Sequence, residues 1–192
     1  MPDYSGFHSR HTVSRDFGKF SAEELAVAEK ELPVEVIDFL RTEGRVTYSE
    51  DFLWNVLPDD LDFTGMYDEW GLPGSACHTF MRSALGVCLY YREGNYYYLN
   101  PVTGANGILY DDFDFIINTY MIMDTFINDN FAYPHYIRLA AGKPALKEDE
   151  IYGFVPALVL GGSYETSTLE VVKMFEHMAI LASLMGNVVR EI

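Results

Sequence analysis

Between Thr79 and Tyr110 the chain alternates four short apolar and aromatic runs with turn residues, a pattern that constrains this region to an antiparallel sheet. The runs are Thr79 to Ala84, Val87 to Tyr91, Tyr96 to Asn100 and Gly107 to Tyr110. Glu93-Gly94-Asn95 and Pro101-Val102-Thr103-Gly104 supply reversals, because glycine and asparagine reach the backbone angles that tight turns demand. A meander is therefore expected here, with two further short strands upstream at Val46 to Tyr48 and Phe52 to Leu57.

Helical signals flank these strands. Ser21-Ala22-Glu23-Glu24 has the serine and the glutamate three residues on that make a capping box, opening a helix over Leu25 to Lys30. Pro33 restarts the helix with Val34, Ile37, Phe39 and Leu40 on its apolar face, and Gly44 is placed to end it in a left-handed conformation. Pro58-Asp59-Asp60-Leu61-Asp62 crowds acids at a helix start, where free backbone N–H groups favour negative charge. That helix should run to about Trp70 and break at Leu72-Pro73-Gly74. Asp111, Asp112 and Asp114 open another, with Phe113, Ile116, Ile117 and Tyr120 at helical spacing. A helix from about Tyr133 to Ala141 stops at Gly142-Lys143-Pro144, and the last, from about Thr168 to Met185, carries Leu169, Val172, Phe175, Met178, Ala179, Leu181 and Ala182 as a broad apolar surface.

These elements predict an α+β fold, an antiparallel meander flanked by helices with a smaller, mainly helical C-terminal module packed against it. The expected divisions are a polar segment over 1–19, a leading domain over 20–128 and a trailing domain over 129–192.

Charge narrows the function classes. The 192 residues carry a formal net charge of -16, and residues 20–150 hold 23 acids against 8 bases. Between Asp59 and Asp129, eleven acids face only Arg82 and Arg92. Such a field repels nucleic acid and anionic membrane and attracts a basic partner. The 49% hydrophobic and 15% aromatic content gives the chain a core to bury, so the acidity is not that of a disordered tail. Residues 1–19 lack the apolar run of a secretory signal, and no stretch approaches the roughly 18 apolar residues of a membrane span, so a cytoplasmic location is expected.

Catalytic signatures are sparse. Cys77 and Cys88 have neither metal-site nor redox spacing and read as buried thiols. His78, His135 and His177 stand apart in sequence, so a metal site requires the fold to bring them to carboxylates. Gly161-Gly162-Ser163 lacks both the P-loop lysine and a second glycine after serine, which leaves it a tight turn rather than a phosphate cradle or nucleophile elbow. Adjacent acids such as Asp59/Asp60 and Asp111/Asp112 diverge at helix starts and serve as caps and field-makers rather than an acid–base pair. No cofactor, metal or catalytic residue is expected. The tyrosines Tyr90, Tyr91, Tyr96, Tyr97 and Tyr98 are either a contact surface or a hairpin covered on both faces.

One stretch reads as a signature. Tyr152-Gly153-Phe154-Val155-Pro156-Ala157-Leu158-Val159-Leu160-Gly161-Gly162-Ser163 is an apolar element closed by a glycine pair, followed by a Ser/Thr-rich start and the helix bearing His177. It resembles the closing domain of type VI secretion DNase-immunity proteins. Residues of about 20–125 resemble the GAD-like domain that precedes it, through Leu32-Pro33 to Gly44, Phe52-Leu53-Trp54-Asn55, Arg82-Ser83-Ala84-Leu85-Gly86 and Leu99-Asn100-Pro101-Val102-Thr103-Gly104. The resemblance implies a non-enzymatic inhibitor of a cognate toxin effector domain, a nuclease in the best-known branch, which an acidic surface would steer to and cover. The contacts expected are Asp59, Asp60, Asp62, Asp111, Asp112 and Asp114. The rival expectation is a small-molecule-binding or regulatory module with a pocket between the two domains.

Overall fold

The computed structural model describes residues 3–192. The meander is present and longer than expected. Seven strands follow in sequence order, each antiparallel to the next: β1 (Val13–Asp16), β2 (Val46–Tyr48), β3 (Leu53–Asn55), β4 (His78–Ser83), β5 (Cys88–Arg92), β6 (Asn95–Asn100) and β7 (Ala105–Ile108). The sheet is closed on its far edge by the short β10 (Arg190–Glu191), parallel to β7, so both ends of the chain contribute edge strands.

Register fixes which side chains share a face, since directly opposed residues project to the same side. One row crosses the sheet as Arg15, Thr47, Trp54, Arg82, Cys88, Leu99 and Asn106. On this face Tyr90 stacks on Tyr97 at 5.3 Å and meets Tyr67 of α4 (Phe63–Glu69) at 4.8 Å. The opposite face is packed by α1 (Ser5–Arg10), α3 (Val34–Glu43), α5 (Phe113–Asn118) and α6 (Asp124–Phe131), through edge-on contacts such as Phe7 on Tyr48 and Phe113 on Phe80. Tyr96 lies against Phe113, and Tyr98 against Phe126. The tyrosine hairpin is thus covered on both faces, by α4 on one and by α5 and α6 on the other.

Local signals place these helices as their chemistry requires. Ser21 and Glu24 form the reciprocal capping box of α2 (Ala22–Ala28). Gly44 closes α3 at φ +85°, ψ -167°, an extended left-sided conformation rather than the helical one expected. That region is essentially glycine's alone, and a Cβ there would lie 2.7 Å from the Gly18 carbonyl oxygen.

The last third departs from expectation. Residues 168–173 do not begin a helix: β9 (Thr168–Lys173) pairs antiparallel with β8 (Glu150–Val155), and α8 (Met174–Leu184) starts only after it. Leu169 and Val172 are spaced for a helix face and Leu169 and Val171 for a strand face, but Thr168, Val171 and Val172 are β-branched, and β8 offers a partner edge. The expected apolar surface of α8 does turn inward, with Phe175 and Ala179 half-buried beside its buried residues. Met174, Met178, Leu181 and Ala182 are buried, whereas Ile180 is 57% exposed and Leu184 43%. The trailing part joins α7 (Tyr133–Ala140) and α8, its helical share still the larger one, to a two-stranded hairpin. Its α8 packs on α4 through Phe175 and Phe63, 5.9 Å apart, and the Tyr152 N–H donates to the Ala84 carbonyl at 2.8 Å.

The N-terminal residues are integral. Phe7 is fully buried, and His11 is 2% exposed between the Met121 carbonyl (2.5 Å from Nε2) and the Ser49 hydroxyl (2.8 Å from Nδ1). A carbonyl only accepts, so Nε2 carries the proton and Nδ1 accepts from Ser49. Burial pulls the imidazole pKa down to about 4. A base held neutral when folded but free to protonate when unfolded makes the unfolded state take up more protons, so stability falls as pH drops from about 6.5 towards 4. His11→Gln should flatten this slope, removing about 2–3 kcal/mol of acid-dependent loss. Denaturant unfolding of both proteins at pH 7 and pH 4.5 measures the difference.

Candidate functional site

The six acids expected at the partner surface divide by what they already hold. Asp59, Asp60 and Asp62 lie between β3 and α4, and the first two line a depression of about 180 Å³ together with Glu24 and Val27 of α2. Asp60 accepts both guanidinium nitrogens of Arg45 at 2.7 Å and the Leu57 N–H at 2.8 Å, and so is a structural ion. Arg45 reaches Glu24 as well, at 2.8 Å. The Ser21 backbone N–H, followed by Arg45, holds the Glu24 carboxyl down at about 2. Asp62 caps α4, accepting the Gly65 N–H at 3.0 Å. Asp59 is exposed and has no hydrogen bond or ion pair among the described residues.

The second group gathers at the start of α5. Asp112 is its N-cap, accepting the Phe115 N–H at 3.0 Å, and Asp114 accepts from the Asn118 side-chain amide at 3.0 Å. Asp111 is exposed and unengaged among the described residues. Together with Glu35 of α3 these three acids line an open depression of about 470 Å³. The two groups sit against neighbouring helices, the first beside α2 and the second beside α3.

Beside the second group stands a set of rings that the sequence reading did not single out. Tyr110 is 58% exposed and Phe115 41%, with ring centroids 5.5 Å apart. Both meet Tyr120, at 6.0 and 5.4 Å, and Tyr120 passes the contact inward to Phe126 at 4.9 Å. Exposed aromatic rings braced from beneath are the residues that most often carry binding energy, because little side-chain freedom is lost on contact. The available signal was Tyr110-Asp111-Asp112 and Asp114-Phe115, rings interleaved with acids.

The histidines do not converge. His78 Nδ1 lies 3.3 Å from Glu31, His135 stacks on Tyr164 at 4.2 Å, and His177 faces Gly153, where an added Cβ would come within 2.7 Å of its Nε2. Burial lowers the His177 pKa. No group of three or more His, Cys, Asp or Glu side chains able to hold a metal occurs among the described residues. Cys77 and Cys88 are buried free thiols, pushed by burial up to about 11 and about 12. The glycine pair is a packing device. Gly161 sits at φ +88°, and a Cβ on Gly162 would fall 2.1 Å from the Pro156 carbonyl oxygen. No helix among the described residues is long and apolar enough to cross a membrane.

With this geometry in place, residues 116–185 match the family described as T6SS immunity protein Tdi1, C-terminal. The resemblance of the trailing segment to a type VI secretion immunity family is thereby borne out. The matched stretch begins within α5 and runs to the residue after α8, taking in Tyr120, the β8–β9 hairpin and His177. No curated protein matches the chain. The fold is similar to the crystal structure of Atu4351 from Agrobacterium tumefaciens, with a TM-score of 0.66 at 16% identity over 94% of this chain and 88% of that one.

The division of acids has a measurable consequence. Asp60→Asn should cost roughly 1–3 kcal/mol, because it strips a part-buried guanidinium of its bidentate partner, while Asp59→Asn and Asp111→Asn stay within about 0.5 kcal/mol of the parent. Chemical denaturation of the three variants reads this directly.

Proposed function

We propose, from the premise that residues 116–185 carry the C-terminal domain of a type VI secretion immunity family, that this protein binds and neutralises a cognate antibacterial toxin and catalyses no reaction itself. The match over that stretch carries the reading, and the surface chemistry supports a toxin with a basic face. A toxin acting on nucleic acid needs such a face to hold phosphate, and a partner with 23 acids against 8 bases over residues 20–150 would associate with it quickly and cover it. We therefore read the target as a secreted nuclease, inhibited by occlusion of its basic active-site region.

Within that reading, the acids divide by task. Asp59 and Asp111 are free to meet a partner's cations, with Asp112 and Asp114 close beside Asp111. Asp60 and Asp62 contribute field, since their oxygens are engaged in holding Arg45 and α4. Tyr110 and Phe115 supply the apolar anchors, set among the carboxylates in the arrangement that pairs fast charge-led encounter with slow dissociation.

Purified protein mixed with the toxin domain encoded beside it should form a complex, and co-expression should restore growth; absence of both sinks the proposal. Given a complex, Asp59→Asn with Asp111→Asn should slow association several-fold at low salt and lose that effect at high salt. Tyr110→Ala with Phe115→Ala should raise the dissociation rate about tenfold or more with little change in association. Surface plasmon resonance at two ionic strengths separates the contributions.

A further inference from the structure

The acidity of the chain thins out in its trailing part. Residues 151–192 hold 4 acids against 2 bases, out of 29 and 13 in the whole, and the stretches 151–164 and 177–189 contain no Asp, Glu, Lys or Arg. The fold brings these two stretches together. The loop after β8 lies along α8, where Ala157 and Leu158 share a small hollow with His177 and Leu181. His177 also faces Gly153, and Val155, two residues on, projects to the same side of β8 as Gly153. Ile180 and Leu184 follow His177 and Leu181 at intervals of three residues, so they flank them on the helix surface. Five large apolar side chains are left at this seam with 38–61% of their surface open: Val155, Val159 and Leu160 from β8 and its loop, Ile180 and Leu184 from α8. Single exposed apolar residues are ordinary, whereas a group of them on one face of so charged a chain marks a contact surface.

The loop is held in shape by its own bonds. The Leu160 and Gly162 N–H groups both donate to the Ala157 carbonyl, at 2.9 and 3.0 Å, and the Gly161 N–H donates to the Leu158 carbonyl at 3.1 Å. The Ser167 hydroxyl donates to the Pro156 carbonyl at 2.7 Å, and the Ser163 hydroxyl accepts the Thr166 N–H at 3.1 Å. With these backbone groups answered internally, Val159 and Leu160 are presented outward on a formed turn, and covering them requires little further ordering of the chain.

Charge decides what fits this face. A basic surface is drawn to the carboxylates of the leading part and gains nothing electrostatic here, while nucleic acid or anionic lipid finds no Lys or Arg in either stretch. A second copy of this chain meets the opposite condition. Its net charge of -16 opposes approach wherever acids are dense and opposes it least where they are sparse, and an uncharged apolar patch complements itself, as a two-fold contact requires. We propose that Val155, Val159, Leu160, Ile180 and Leu184 form a self-association surface, through which two copies pair with the loop and α8 of one against those of the other. α8 packs on α4, on the face of the meander opposite to α5, so pairing there leaves Tyr110 and Phe115 open on both copies. The inference goes beyond the toxin reading and does not rest on it.

Sedimentation velocity of the whole protein over about 1–200 µM, at low and at high sodium chloride, tests the surface. A reversible dimer is expected, and it should tighten several-fold at high salt, because screening removes the remaining acid–acid repulsion and leaves apolar burial in place; a charge-led contact would weaken instead. Leu160→Asp and Ile180→Glu each set a carboxylate on an exposed position of a different element. Both should fold as the parent by circular dichroism and Tm, and each should raise the dimer Kd at least tenfold; if one fails to fold, the other reads the same contact. Tyr110→Ala with Phe115→Ala should leave the dimer unchanged. A dimer that the folded carboxylate variants leave intact, or one that the Tyr110 and Phe115 changes disrupt, would overturn the proposal. A monomer throughout the range would overturn it too, and loss of toxin binding in Leu160→Asp would then assign the face to the toxin.

Discussion

The interaction on which the rest depends is that of the Arg82 guanidinium, sandwiched between the Trp54 ring and the chain at Lys147 and Glu148. It sits at the middle of a cross-sheet row, directly opposite Trp54 across β3 and β4, and it bonds the strap that feeds β8. Arg15 of β1 reaches the same strap at the Leu146 carbonyl, 3.4 Å away, and the hairpin itself meets the meander through the Tyr152 amide and side-chain packing. A residue that joins sheet to strap in this way is buried, and its charge is met by carbonyls and a ring face rather than by bulk water.

Beyond that junction, the molecule sorts its acids into two populations. Asp60, Asp62 and Asp112 each saturate a backbone N–H, and Asp60 also saturates a guanidinium, so their negative charge stabilises turns and helix starts. Asp59 and Asp111 do nothing comparable inside the fold and remain available to solvent or a partner. A chain as acidic as this one tolerates its own repulsion partly because several carboxylates are locally answered in this way.

Much of the fold was legible because it is local. The meander follows from alternation and turn residues, and the capping box at Ser21 and the cap at Asp112 are decided within four residues. What escaped was decided at a distance. β1 shows no apolar alternation because it is an edge strand whose central Arg15 stacks over Trp54, reached only through the fold. β9 was ambiguous between periods until β8 lay beside it. Asp60 resembled the free Asp59 because Arg45 stands fifteen residues earlier, and Tyr110 and Phe115 were not singled out since aromatic content alone does not distinguish a buried ring from one braced at the surface. The signature at Tyr152 to Ser163 was recognised as a pattern, and its physical content emerged only when Gly162 proved to be pressed against a carbonyl and Gly153 against an imidazole.

That last contact couples two positions twenty-four residues apart in sequence. The His177 ring occupies the volume in which any side chain at 153 would have to begin. Drift at either position is therefore constrained by the other: a larger residue at 153 requires the ring at 177 to move aside or to be exchanged for something smaller, so the two positions are expected to change together.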